Sequence, residues 1–117
     1  MPDQTDGDAA RRPLPEPPYW AVIFASKRTA ADEAGYAAAT RRMAELAAQQ
    51  PGYLGMESAR DRDGAGVTVS YWRSLDDIAA WKANAEHQTV QTQGKTRWYE
   101  RFTLRVARVE RAYDWTR

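Results

Sequence analysis

The run Tyr19-Trp20-Ala21-Val22-Ile23-Phe24-Ala25-Ser26 constrains this chain more than any other stretch. Successive strand residues point to opposite sides of a sheet, so a run that is apolar on both alternating faces must be covered on both. Lys27 and Arg28 close it. With 117 residues the chain has room for one domain and one core. The cover for the second face has to come from the remaining elements or from another copy of the chain.

The remaining elements are legible in order. Thr29 or Asp32 can cap a helix whose apolar residues Tyr36, Ala39, Met43, Leu46 and Ala47 recur at helical spacing, and Pro51 and Gly52 end it. Tyr53 to Arg60 reads as a strand, Asp61-Arg62-Asp63-Gly64 as a turn, and Gly66 to Arg73 as the returning strand of a hairpin. In that returning strand Val67, Val69 and Tyr71 make an apolar face, while Thr68, Ser70 and Trp72 make a mixed face suited to border a cavity. Ser74 followed by Asp77 resembles a capping box with aspartate in the place of glutamate, opening a helix through Leu75, Ile78, Ala79, Trp81 and Lys82. Helical character continues to Gly94, the expected stop. A last strand from about Arg101 to Tyr113 carries Phe102, Leu104 and Val106 on one face and Ala107 and Val109 on the other.

Strand, helix, strand, strand, helix, strand is the split βαβ order, which predicts an α+β, ferredoxin-like βαββαβ fold with an antiparallel sheet and helices on one face only. Residues 1–18 hold five of the six prolines and almost nothing for a core, so they form an N-terminal arm, extended over Pro13 to Pro18 where ordered, ahead of a domain at 19–117. No segment is left to cover the helix-free face of the first strand. A homodimer, packed face to face about a twofold axis, is therefore expected.

Charge and composition exclude several classes of function. Seventeen basic and sixteen acidic residues give a net charge of +1, too small a field to draw nucleic acid or an anionic membrane. The arginines between Arg97 and Arg111 are interrupted by apolar residues, Glu100 and Glu110, and read as the charged face of a strand. The absence of cysteine excludes disulfides, thiolate metal sites and a cysteine nucleophile, and fits a reducing compartment. No apolar run approaches the roughly 20 residues that cross a bilayer, and the N-terminus lacks a signal-peptide core, so the expected location is the cytoplasm. Gly64 and Gly66 precede a strand rather than a helix, so they cradle no nucleotide, and Asp76 with Asp77 reads as a helix N-terminal pair rather than as metal ligands.

His87 is the only histidine, hence the only side chain that ordinarily titrates near neutrality. It reads either as a surface or supporting histidine beside Glu86, or as a general base, a substrate hydrogen-bond partner or an axial haem ligand. On one uninterrupted helix Trp81 and His87 would lie about 120° apart. They line a common cavity only if the helix breaks around Ala83 to Glu86. Tyr36, Tyr71, Trp72, Trp81, Trp98 and Tyr99 fall at strand ends or on inner helix faces; each suits a core, and together they suit the walls of a pocket for a flat aromatic ligand.

Several of these residues carry a resemblance. Pro51-Gly52-Tyr53-Leu54-Gly55, Tyr71-Trp72-Arg73-Ser74, Trp81 and His87 resemble the antibiotic biosynthesis monooxygenase domain, a family of dimeric α/β-barrel proteins, over about residues 19–113. The resemblance implies a dimeric α/β barrel of ferredoxin-like subunits, each with a cavity between sheet and helices. It also implies a cofactor-independent monooxygenase that acts on an aromatic or polyphenolic small molecule with dioxygen. His87 would then be the catalytic base, and Trp72, Trp81, Tyr36, Trp98 and Tyr71 the substrate-binding residues. Haem-binding or haem-degrading members offer an alternative, with haem as cofactor on His87. Their first-strand asparagine has no counterpart here, because the one asparagine is Asn84. A non-catalytic small-molecule-binding dimer is the third reading.

Overall fold

A computed structural model describes residues 14–117. The chain runs β1 (Tyr19–Arg28), α1 (Glu33–Ala48), β2 (Tyr53–Arg60), β3 (Ala65–Trp72), α2 (Leu75–Ala83), α3 (Ala85–Gln93), a π-helical turn (Gly94–Trp98) and β4 (Tyr99–Val109). The four strands form one antiparallel sheet in the order β2-β3-β1-β4, the ferredoxin-like order. β1 is central, paired with β3 through Trp20↔Trp72 and Phe24↔Thr68 and with β4 through Val22↔Val106 and Ser26↔Phe102.

Local chemistry accounts for the boundaries. Asp32 caps α1, its carboxylate accepting from the Gly35 N–H at 3.2 Å. Gly52 turns the chain from α1 into β2 with φ of 82°, and a Cβ there would fall 2.0 Å from Asp77 Oδ2, so only glycine fits. Ser74 caps α2 by accepting from the Asp77 N–H at 3.1 Å, and its hydroxyl donates to Asp77 Oδ2 at 2.8 Å. The aspartate closes this modified capping box on the serine side chain.

Four expectations are corrected. β1 runs on through Lys27 and Arg28, because both keep partners in the ladder to β4. Gly94 does not stop the helix: it is right-handed (φ −59°, ψ −46°), and the chain continues through the π-helical turn to Trp98. β4 accordingly starts at Tyr99 and ends at Val109. Of the N-terminal arm, residues 1–13 lie outside the described residues. From Leu14 the chain bends at Glu16 and Pro17 rather than running straight, with a cis bond between Pro17 and Pro18 and with Leu14 packed beside Gly55.

Helices cover one face of the sheet. On that face Ala47, Trp72 and Trp81 form the buried core, joined by Val22, Met43, Leu46, Tyr53, Met56 and Ile78. The core sits toward β2 and β3, where α1 and α2 pack. Phe102, Leu104 and Val106 share this face at the β4 edge and remain 39%, 48% and 44% exposed. The opposite face presents Ala21, Ile23, Val67, Val69, Tyr71 and Ala107, with no helix over it among the described residues.

Candidate functional site

Two aromatic clusters occupy the helix side of the sheet. The first begins at Trp72, whose side chain is 0% exposed and whose indole N–H donates to Ser70 Oγ at 2.8 Å. Trp81 stacks over Trp72 at 6.1 Å between ring centroids, and His87 stacks on Trp81 at 4.2 Å with planes 15° apart. Tyr53 meets Trp72 edge-on at 5.6 Å.

The stack exists because the helix breaks. Asn84 leaves helical geometry (φ −60°, ψ 128°), ends α2 and caps α3, its side-chain oxygen accepting from the His87 N–H at 3.1 Å. The break falls within the Ala83 to Glu86 window that a shared Trp81–His87 environment requires. It also brings His87 Nδ1 to 3.0 Å from the Trp81 carbonyl oxygen. A carbonyl only accepts, so Nδ1 carries the hydrogen and the neutral ring keeps its lone pair on Nε2. Burial lowers the His87 pKa, and the carbonyl bond opposes that shift in part. The ring is therefore neutral near pH 7, as a general base must be.

The second cluster lies roughly 13 Å further along β1, at four residues of strand rise from Trp20 to Phe24. Tyr36 on α1 meets Trp98 and Tyr99 edge-on, each at 5.9 Å. Tyr99 touches Phe24 at 5.3 Å and Phe102 at 6.0 Å, and Phe24 touches Phe102 at 5.2 Å. Two cations join these rings: Arg28 Cζ lies 3.7 Å from the Tyr36 centroid, and Arg60 Cζ lies 5.7 Å from it. Burial and a hydrogen bond with Tyr36 push the Tyr99 hydroxyl pKa up, against a smaller downward pull from Arg60 and Arg28.

The π-helical turn builds this corner. Gly94 packs so close to Tyr99 that a Cβ would sit 3.0 and 3.1 Å from its ring carbons. The Trp98 carbonyl accepts from the Thr29 N–H at 2.8 Å, and its indole N–H donates to Asp32 Oδ2 at 3.3 Å. Thr29 Oγ1 donates to the Arg97 carbonyl at 2.7 Å, and Arg97 pairs with Asp32 at 3.4 Å. The end of β1, the start of α1 and the start of β4 are thereby tied together. π-Turns of this kind concentrate at functional positions.

Of the six residues expected at a site, the structure brings Trp72, Trp81 and His87 into one stack and Tyr36 and Trp98 into the other cluster. Tyr71 is apart from both. It lies on the helix-free face, edge-on to Tyr19 at 5.8 Å, and its hydroxyl donates to Glu57 Oε1 at 2.6 Å. Phe24, Phe102, Arg28 and Arg60 are additions that sequence reasoning passed over. Arg28 follows directly after the apolar run and reads as its end, whereas its side chain turns back over Tyr36. Among the described residues no group of three or more His, Cys, Asp or Glu could hold a metal ion, and no helix is long and apolar enough to cross a membrane.

Comparison with known proteins bears on the same region. Residues 21–93 match the sequence model of the family described as antibiotic biosynthesis monooxygenase. The uncharacterized protein YqjZ of Bacillus subtilis (strain 168) is 52% identical over 97 residues, which cover 83% of this chain and 84% of that protein. Among solved structures, SnoaB, a cofactor-independent oxygenase from Streptomyces nogalater, superposes with a TM-score of 0.65 at 16% identity, covering 84% of this chain and 97% of that one. Protein SO0527 from Shewanella oneidensis superposes with a TM-score of 0.71 at 12% identity, covering 86% and 98%. At these identities the two structures speak for the fold alone.

Proposed function

This chain belongs to the antibiotic biosynthesis monooxygenase family, and on that footing we propose that it is a cofactor-independent monooxygenase acting on an aromatic or polyphenolic small molecule between its sheet and helices. The observation that carries this is the anchored imidazole: His87, its Nδ1 hydrogen held by the Trp81 carbonyl, stays neutral by burial and offers Nε2 as a base. A base of this kind removes the acidic proton of a phenol or its keto tautomer. The resulting carbanion or enolate is electron-rich enough to reduce dioxygen, and recombination forms a carbon–oxygen bond to give a hydroperoxide. Loss of water then leaves a carbonyl, so one oxygen atom enters the product and the other leaves as water. The protein's contribution is to orient, desolvate and deprotonate.

Two copies packed through the helix-free faces complete the working unit, in the cytoplasm. That face is apolar at Ala21, Ile23, Val67 and Val69, and Val67 is 43% exposed in the single chain. Sedimentation as a compact monomer at high concentration would overturn the dimer. The reaction is checked by dioxygen uptake with anthrone and no added cofactor. Uptake is expected in the natural chain and should fall about a hundredfold or more in His87→Gln; uptake that survives His87→Gln unchanged removes the assigned base.

Haem binding through His87 is the second reading, favoured by the same anchored ring, whose Nε2 would be left to hold a haem iron if one were bound. Asn84 is committed to capping α3 and lies outside β1, so the residues fit a haem ligand but not the first-strand asparagine of haem-degrading relatives. A Soret band on haem addition that disappears in His87→Ala supports this reading. Failure of both assays leaves a non-catalytic small-molecule-binding dimer.

A further inference from the structure

We propose that the corner formed by Arg28, Arg60, Tyr36 and Tyr99 binds the oxyanion of an acidic aromatic ligand, such as a phenolate or enolate carried on a flat ring. This rests on reading the helix side of the sheet as a ligand site, but it does not depend on turnover.

The argument begins with charge. The Arg28 side chain is only 7% exposed, yet its firm partners are neutral: the Ala31 carbonyl at 3.1 Å and the Trp98 carbonyl at 3.4 Å. Among the described residues the one carboxylate that reaches it is Glu33, 3.9 Å away and itself 82% exposed. Arg60 bonds the Gly64 carbonyl and, at 2.8 Å, Ser26 Oγ, again neutral groups. Two full positive charges thus converge on the Tyr36 ring with a single long ion pair, to a solvated carboxylate, among the described residues. Burying a cation without an anion is costly, and two like charges on one ring add to that cost. An incoming oxyanion relieves both.

Donor supply agrees with charge. A guanidinium carries five N–H groups in a rigid fork suited to oxyanions. Arg28 commits Nε and one Nη2 hydrogen to carbonyls, with Nη1 toward Glu33, and Arg60 commits one hydrogen from each Nη. Several donors are left over, and the Tyr36–Tyr99 hydroxyl pair adds a polar end to the same corner.

The apolar half of the ligand has a matching surface. Phe24, Phe102 and Tyr99 meet ring to ring, Tyr99 meets the Tyr36 ring that both arginines face, and Phe102 is open to solvent at the β4 edge, continuous with exposed Leu104 and Val106. A flat ring laid on Phe24 and Phe102 would direct its acidic oxygen toward Arg28 and Arg60. A neutral aromatic of the same shape would gain the ring contacts and forgo the charge.

The test is an equilibrium titration without dioxygen, followed by tryptophan fluorescence. The probes are 2-hydroxy-1,4-naphthoquinone, an anion near neutral pH, and its neutral methyl ether, 2-methoxy-1,4-naphthoquinone. The natural chain should bind the hydroxyquinone about ten- to a hundredfold more tightly, the range expected of charge-assisted hydrogen bonds, and the preference should shrink as salt rises. Arg60→Gln and Arg28→Met should each cut the preference about tenfold, with the larger loss in binding of the hydroxyquinone. Arg60 bonds only a turn carbonyl and a hydroxyl among the described residues, so Arg60→Gln decides the matter if Arg28→Met fails to fold. Equal affinity for the two quinones, or a preference untouched in folded Arg60→Gln, overturns the oxyanion site while leaving an aromatic ligand possible. Binding of neither quinone overturns the site and the aromatic ligand together.

Discussion

The two aromatic clusters on the helix side of the sheet draw on the same residue types and end up as opposites. Around Trp72 the rings are closed off by α1 and α2, the buried indole N–H donates to the neutral Ser70 hydroxyl, and no charged side chain is buried among them. Around Tyr36 the cluster runs from Trp98, buried at 3% exposure, out to Phe102, 39% exposed at the β4 edge, with two guanidiniums among the rings. Aromatic content therefore does not tell the two clusters apart. Coverage and charge do: a region that keeps cations beside exposed rings forgoes stability that the closed cluster collects.

The comparison can be broken most directly by truncation. Trp72→Ala should cost about 3–5 kcal/mol of unfolding free energy, as for a large ring removed from a packed core, whereas Phe102→Ala should cost about 1 kcal/mol or less because its ring is already part-solvated. Urea denaturation of both variants reads the difference. Similar losses would mean that the β4 edge is covered in solution, as a second subunit or a ligand would cover it.

A methyl group sharpens the same contrast from inside the charged cluster. Gly94→Ala places a Cβ against the Tyr99 ring, and such overpacking costs about 1–3 kcal/mol. It should also swing Tyr99 away from Tyr36, visible as a change in near-ultraviolet circular dichroism and in hydroxyquinone affinity. Removing the cap at the helix break, Asn84→Ala, should cost about 1 kcal/mol and should loosen the Trp81–His87 stack. The expected sign is a lower apparent threshold for dioxygen uptake loss on heating, with the Tyr36 cluster unaffected.

His87 adds a pH dependence confined to the first cluster. Its pKa in the folded chain lies below the unfolded value near 6.5. Between those two values the unfolded chain binds more protons, so stability rises with pH there. The contribution is complete above about 6.5 and is lost as pH falls toward the folded pKa. Thermal unfolding from pH 7.5 to 5 should show that slope, and His87→Gln should flatten it. The smallest effect belongs to the Arg42–Glu86 pair, bidentate at 2.6 and 3.1 Å, which ties α1 to α3 beside His87. Both side chains are solvated, so Glu86→Gln should barely move the unfolding midpoint at physiological salt.

Much of this was legible in the chain. The two-faced run at Tyr19–Ser26, the helical spacing of Tyr36, Met43 and Ala47, the Asp61–Gly64 turn and the Ser74–Asp77 cap are all local patterns, and each acts within a few residues of itself. The break at Asn84 could be anticipated as a condition, because a straight helix cannot present Trp81 and His87 together. The π-helical turn could not, since Gln93-Gly94-Lys95 looks like an ordinary helix end and its departure depends on Thr29 and Asp32 from another part of the chain.

By itself, then, the sequence determined the order of elements, the sheet's two apolar faces and the family to which the chain belongs, because hydrophobic periodicity and capping are short-range signals. Only the tertiary structure decided which aromatics became core and which became a charged, open corner. That sorting depends on where α1 and α2 happen to lie over a four-stranded sheet, and on Arg28 and Arg60 meeting at one ring from β1 and β2, which are distant in sequence and flank β3 in the sheet.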